Sequence, residues 1–124
     1  MKKKILIVDD ETDIIKLLSM RLKSCDYDVI SASDGESGLK KAQKEKPDLI
    51  ILDVLMPKMN GFEICKRLKE NELTKNMPVI MLTALAQERD LAKGLKEGAD
   101  CFITKPFSTV DLLCEIKLAM QEAK

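Results

Sequence analysis

Four short apolar runs in this chain each end at a polar side chain, and longer stretches with helical spacing separate them. Ile5-Leu6-Ile7-Val8 stops at Asp9 and Asp10, and Leu49-Ile50-Ile51-Leu52 stops at Asp53. Val79-Ile80-Met81-Leu82 stops at Thr83, and Cys101-Phe102-Ile103-Thr104 stops at Lys105. Apolar runs this short, bounded by polar residues, read as buried strands rather than helices. If the strands are parallel, their terminal polar groups gather at one edge of one sheet. That edge then carries the carboxylates of Asp9, Asp10 and Asp53, a hydroxyl and an ammonium. Crowded carboxylates are stable only when a cation neutralises them or one of them keeps its proton.

The intervening stretches carry apolar residues at a spacing near 3.6. The pattern predicts β1 over 4–8, α1 over 12–24 (Ile14, Ile15, Leu18 and Leu22 on one face), and β2 over 27–32. The polar character of β2 suits a sheet edge. It continues with α2 over 35–45, thinly apolar at Leu39 and Ala42, β3 over 48–52, and α3 over 61–70 with Phe62, Ile64, Cys65 and Leu68. There follow β4 over 78–83, α4 over 86–97, β5 over 100–104, and α5 over 109–122 with Leu112, Leu113, Ile116 and Ala119 inward. Gly98 fits the residue just past α4, and Ser108 fits the N-cap of α5. Asp34-Gly35 and Asn60-Gly61 are strong hairpin signals taken alone. Helical periodicity follows each, so Asp34 and Asn60 read as helix caps.

Strands separated by helices must run parallel, and right-handed crossovers place helices on both faces. The expectation is an α/β fold, a (βα)5 three-layer sandwich forming one domain over 1–124. In such sheets ligands lie beyond the carboxyl ends of the strands, where the winding reverses. The polar groups named above all fall at those ends.

Composition narrows the chemistry. The chain has no histidine, so the commonest general base and the commonest transition-metal ligand are both missing. Lys plus Arg equals Asp plus Glu at 21 each, which leaves no global field to attract nucleic acid. Cys25, Cys65, Cys101 and Cys114 include no Cys-x-x-Cys pair and read as reduced thiols. There is no apolar run of membrane-spanning length and no signal peptide, so a soluble, cytoplasmic protein is expected.

A hard cation prefers oxygen ligands, and Mg²⁺ takes one or two carboxylates plus water. Asp9, Asp10 and Asp53 can supply them. An Asp53 oxygen could then attack phosphorus, with Lys105 and the Thr83 hydroxyl donating to phosphoryl oxygens. No side-chain base is required, because a carboxylate is already deprotonated. Each residue also has a plainer role. An Asp ahead of a helix is more often a cap, a lone Lys is usually a solvated charge, and a strand-end Thr usually bonds backbone. Their joint occurrence at successive strand ends favours a site.

At this point the chain resembles a bacterial response-regulator receiver domain. The resemblance rests on Ile5-Leu6-Ile7-Val8-Asp9-Asp10-Glu11, then Asp53-Val54-Leu55-Met56-Pro57-Lys58-Met59-Asn60-Gly61. It continues in Leu82-Thr83-Ala84 and Gly98-Ala99-Asp100-Cys101-Phe102-Ile103-Thr104-Lys105-Pro106-Phe107, in order and over the whole chain. The resemblance implies a flavodoxin-like sheet in strand order 2-1-3-4-5. It implies a phosphoacceptor switch of two-component signalling, phosphorylated on Asp53 from a histidine kinase or phosphotransfer protein, and no turnover of an external substrate. Asp10, Asp53 and the Leu55 carbonyl would hold Mg²⁺, with Asp9 acting through water. Lys105, Thr83 and the Ala84 N–H would meet the phosphoryl group, Thr83 and Phe102 would move together, and the Lys105–Pro106 bond would be cis. Readout by a partner or output domain would use the α4-β5-α5 face, and a phosphorylation-dependent dimer is a further expectation.

Some positions depart from the commonest pattern. Asn60 stands where Asp is frequent, and Phe102 lacks the hydroxyl of a Tyr. Leu55 and Leu85 border the path of the hydrolytic water in this family, and two leucines would orient it poorly, so slow phosphoryl loss is expected. A stand-alone or excised receiver is expected, binding neither nucleic acid nor membrane itself. Three rivals compete. A haloacid-dehalogenase-type phosphatase wants Asp-x-Asp, where this chain has Asp9-Asp10-Glu11. A flavin- or nucleotide-binding module wants a Gly-rich loop after β1, which is missing. An adaptor that has lost phosphorylation would have no need of the acidic set.

Overall fold

The computed structural model describes residues 2–54, 56, 60–83, 98–104 and 107–122. Within them five strands form one sheet in the order β2-β1-β3-β4-β5. The strands are β1 (Lys4–Val8), β2 (Asp28–Ala32), β3 (Leu49–Asp53), β4 (Val79–Thr83) and β5 (Cys101–Thr104). Every adjacent pair is parallel, with Val8 opposite Ala32 and Leu52, Asp53 opposite Leu82, and Thr83 opposite Thr104. The helices α1 (Thr12–Ser24), α2 (Gly35–Glu45), α3 (Gly61–Glu70) and α5 (Thr109–Glu122) fall where the periodicity predicts them. The α4 prediction lies outside the described residues. None of the described helices is long and apolar enough to cross a membrane.

Strand alternation divides the core into two layers. Leu6, Val8, Ile50, Leu52, Val79 and Met81 face α2 and α3, where they meet Ala42, Phe62, Ile64, Cys65 and Leu68. Ile5, Ile7, Leu49, Ile51, Ile80 and Leu82 face α1 and α5, where they meet Leu18, Leu22, Leu112, Ile116 and Ala119. All of β1 but Lys4, and all of β3 and β4, are buried on both faces, which explains their uninterrupted apolar runs. Each fully buried Ile, Leu or Val contributes about 1.5–3 kcal/mol by leaving water. The polar β2 lies at the edge, as its composition predicts.

The capping expectations hold. Asp34 accepts from the Ser37 N–H at 2.8 Å, Asn60 from the Glu63 N–H at 3.0 Å, and Ser108 from the Asp111 N–H at 3.4 Å. Gly98 has a positive φ of +101°, which favours glycine, while the helix it is expected to follow lies outside the described residues. Four strands, β2 to β5, start one residue later than predicted, and for β3 and β5 the reason is shared. Asp48 and Asp100 lie just before β3 and β5, and each turns its carboxylate to the first N–H of the neighbouring strand. Lys4 N–H donates to Asp48 Oδ2 and Val79 N–H to Asp100 Oδ2, both at 2.7 Å. These side chains stand in for ladder carbonyls at the amino edge of the sheet. Asp53 becomes the last residue of β3, continued by the Val54 N–H bond to Leu82 O at 3.3 Å.

All four cysteines are free. The Cys101 thiol donates to Glu115 Oε2 at 3.2 Å and ties β5 to α5. Burial first, then that bond and the charge of Glu115, push its pKa up to about 12. Thiolate is the reactive form, so Cys101 is expected to resist iodoacetamide at pH 8 while exposed Cys25 and Cys114 react. Peptide mapping after partial alkylation checks this. Glu115→Gln should speed modification at Cys101, and equal rates at Cys101 and Cys114 in the wild-type chain would contradict the argument.

Candidate functional site

The order β2-β1-β3 means that the chain leaves β1 toward one side and returns on the other. The winding therefore reverses between β1 and β3, and ligands of such sheets bind beyond the carboxyl ends of the strands at that point. Asp9 and Asp10 follow β1, and Asp53 ends β3. Asp9 is 1% exposed and Asp53 3%, so two carboxylates are buried side by side. Asp9 is held by its N–H bond to Ala32 O at 3.1 Å, and its Oδ1 accepts the Glu11 N–H at 2.9 Å. One carboxylate oxygen from each of Asp9, Asp10, Glu11 and Asp53 lies within 4.8 Å of the others. Asp10 and Glu11 are exposed, so the cluster opens to solvent on one side.

The donor set is all oxygen, which is the chemistry of a hard divalent cation. Opposite ligands of octahedral Mg²⁺ lie about 4.2 Å apart, so the cluster fits such an ion with a small contraction or a bridging water.

Thr83 ends β4 and is fully buried beside this edge. It follows Val79 and Met81 on the α2/α3 face of the sheet. Phe102 is opposite Met81 and packs on that same face, its ring 6.3 Å from Phe62 and tilted by 48°. Thr83 and Phe102 thus share one side of the sheet. Lys105, Ala84, Leu55, Leu85 and Pro106 lie outside the described residues.

Two contributions escaped the sequence reading. Glu11 was quoted within a motif but assigned no role at the site. Its adjacency to Asp9-Asp10 was the available signal. Gly61 is the other. A Cβ there would come within 2.6 Å of Asp53 O and 2.7 Å of Val54 Cα, while the Gly61 N–H donates to Val54 O at 2.9 Å. The first turn of α3 therefore presses directly on the backbone that carries Asp53.

The family model for the response regulator receiver domain matches residues 5–117. The chain belongs to the response regulator receiver domain family. It is 49% identical over 124 residues to the alkaline phosphatase synthesis transcriptional regulatory protein PhoP of Bacillus subtilis, covering all of this chain and 51% of that protein. It is 42% identical over 118 residues to the DNA-binding dual master transcriptional regulator RpaA of Synechocystis, covering 95% of this chain and 49% of that one. The receiver domain thus spans about half the length of these curated relatives. Among solved structures, the Vibrio cholerae chemotaxis protein CheY4 superposes with a TM-score of 0.91 at 36% identity, covering 96% of this chain and 99% of that one. A CheY-like receiver domain protein from Methanospirillum hungatei gives a TM-score of 0.93 at 34% identity, covering 99% and 97%. The fold is thus the flavodoxin-like, CheY-type sandwich in strand order 2-1-3-4-5. As a receiver domain of two-component response regulators, this chain is a signalling phosphoacceptor switch rather than a conventional enzyme. Receiver domains bind Mg²⁺ and act with histidine kinases and output domains. The dehalogenase-type and nucleotide-binding readings are set aside by this membership.

Proposed function

We propose that Asp53 is the phosphoacceptor of this receiver domain. The observation that carries the reading is its buried carboxylate at the end of central strand β3, within 4.8 Å of the acidic oxygens of Asp9, Asp10 and Glu11. An Asp53 oxygen attacks the phosphorus of a phosphohistidine on a kinase or phosphotransfer protein. A P–O bond forms, the P–N bond breaks, and the departing imidazole takes up a proton. Asp10, Asp53 and the Leu55 carbonyl would hold Mg²⁺, with Asp9 holding its water. The ion, when bound, neutralises charge on the phosphoryl oxygens as it develops.

The chain's own residues do the rest. Burial keeps bulk water from the acyl phosphate. Lys105, the Thr83 hydroxyl and the Ala84 N–H donate to phosphoryl oxygens. Thr83 lies on the same side of the sheet as Phe102, which supports a coupled movement of the two when negative charge is added at Asp53. We place the readout on the α4-β5-α5 face, through a partner or an output domain. A cis Lys105–Pro106 bond belongs to the same reading, as does one receiver unit over 1–124. The relatives named above are transcriptional regulators of about twice this length. An output domain that binds DNA is therefore one form the partner can take, and the receiver itself needs no nucleic acid.

The test is incubation with Mg²⁺ and acetyl phosphate, read by intact mass. A gain of one phosphoryl unit per chain, prevented by EDTA, is expected. No gain would return the lost-phosphorylation adaptor, and a gain of the same size in Asp53→Asn would remove Asp53 from its assigned role.

A further inference from the structure

We infer that Glu11 is a further cation-holding residue of this site, acting through the water shell of the divalent ion and setting its affinity. The inference rests on the reading of the acidic cluster as the Mg²⁺ site. Glu11 lies at the N-cap of α1, yet its side chain makes no capping hydrogen bond there. Its own N–H is taken instead by Asp9 Oδ1 at 2.9 Å, and its carbonyl accepts the Ile15 N–H at 3.2 Å. The backbone of Glu11 thus serves the start of α1, and its carboxylate reaches back to within 4.8 Å of the other three.

Two physical limits set its role. Mg²⁺ takes one or two carboxylates directly and keeps several waters. Four carboxylate oxygens spread over as much as 4.8 Å exceed that count, and the spread exceeds the separation of opposite Mg²⁺ ligands, about 4.2 Å. The exposed Glu11 carboxylate is therefore suited to accept hydrogen bonds from coordinated water. Its charge also has an opposite effect without the ion. A fourth carboxylate beside the buried Asp9 and Asp53 adds like-charge repulsion, which a divalent ion relieves. The plainer role, an acid favoured by the amino end of α1, predicts no dependence on the metal.

The experiment is titration of the metal-free protein with MgCl₂ by isothermal calorimetry, comparing wild type, Glu11→Gln, Asp10→Asn and Asp53→Asn. A charge about 5 Å from a divalent ion in water, partly screened, corresponds to about fivefold in affinity. Glu11→Gln is expected to weaken Mg²⁺ binding by about that factor at low salt. The loss should shrink at about 0.5 M KCl, where the screening length falls to about 4 Å. Thermal melting in EDTA should move the other way, with Glu11→Gln melting above wild type. Mg²⁺ affinity within twofold of wild type for Glu11→Gln, alongside weak binding by Asp10→Asn and Asp53→Asn, would overturn the role of Glu11 and leave the site standing. Wild-type affinity in all three variants would overturn the site and this inference together.

Discussion

Replacing Asp53 by Asn is expected to abolish phosphoryl uptake from acetyl phosphate while leaving the fold intact. The carboxamide has nearly the same shape, so the packing around a side chain only 3% exposed should survive. It has no anionic oxygen to attack phosphorus, and it removes one charge from the candidate cation site. Intact mass should therefore show the phosphoryl adduct on wild type alone, with matching circular dichroism for the two chains. The same substitution relieves repulsion with Asp9, so the variant should melt no lower than wild type in EDTA. An adduct of equal stoichiometry on Asp53→Asn would move the acceptor to another residue.

Gly61→Ala should damage both stability and phosphorylation, although alanine is the better helix former. An added methyl group would lie 2.6 Å from Asp53 O and 2.7 Å from Val54 Cα. Both are backbone atoms, so the strand end or the start of α3 must shift. Overpacking of this kind costs about 1–3 kcal/mol, more than the gain of about 0.5–1 kcal/mol from replacing a helical glycine. The shift also displaces Asp53 relative to Asp9, so the initial rate of labelling should fall with the melting temperature. Gly38 provides the comparison. There an added Cβ would meet Val8 Cγ2 at 2.9 Å, a side chain that can turn aside, and Asp53 is not involved. Gly38→Ala should therefore lower stability without a matching loss of labelling rate. Unchanged melting and labelling in Gly61→Ala would show that the strand end yields freely.

Much of the architecture was legible because burial on both faces leaves a strong mark. The runs at Ile5–Val8, Leu49–Leu52 and Val79–Leu82 are uninterrupted because neither face of those strands meets water. The edge strand β2 is more polar for the converse reason. Asp34 and Asn60 were separable from hairpin tips because the periodicity after them is helical, and their cap bonds follow from that. The boundaries of β3 and β5 were less legible. Asp48 and Asp100 bond to N–H groups 44 and 21 residues away in the chain, and local patterning carries no trace of such partners. The thin apolar stripe of α2 had the same origin. Gly38 lets that helix pack close to Val8, so contact comes from a missing side chain rather than a large one.

Asp9, Asp10 and Asp53 could be named from the chain alone, since parallel strands must bring their carboxyl ends to one edge. Their chemistry also followed from composition, because oxygen donors without histidine point to a hard cation. The distances belong to the tertiary structure. Asp9 and Asp53 are buried neighbours because β1 and β3 are adjacent in the sheet, a pairing that local propensity cannot choose. Glu11 joins them because Asp9 takes over its N–H at the start of α1, and Gly61 sets the height of the strand end by letting α3 approach it. Hydrophobic patterning acts over a few residues and so selects the elements. The spacing between charges depends on how those elements pack, and only the folded chain decides it.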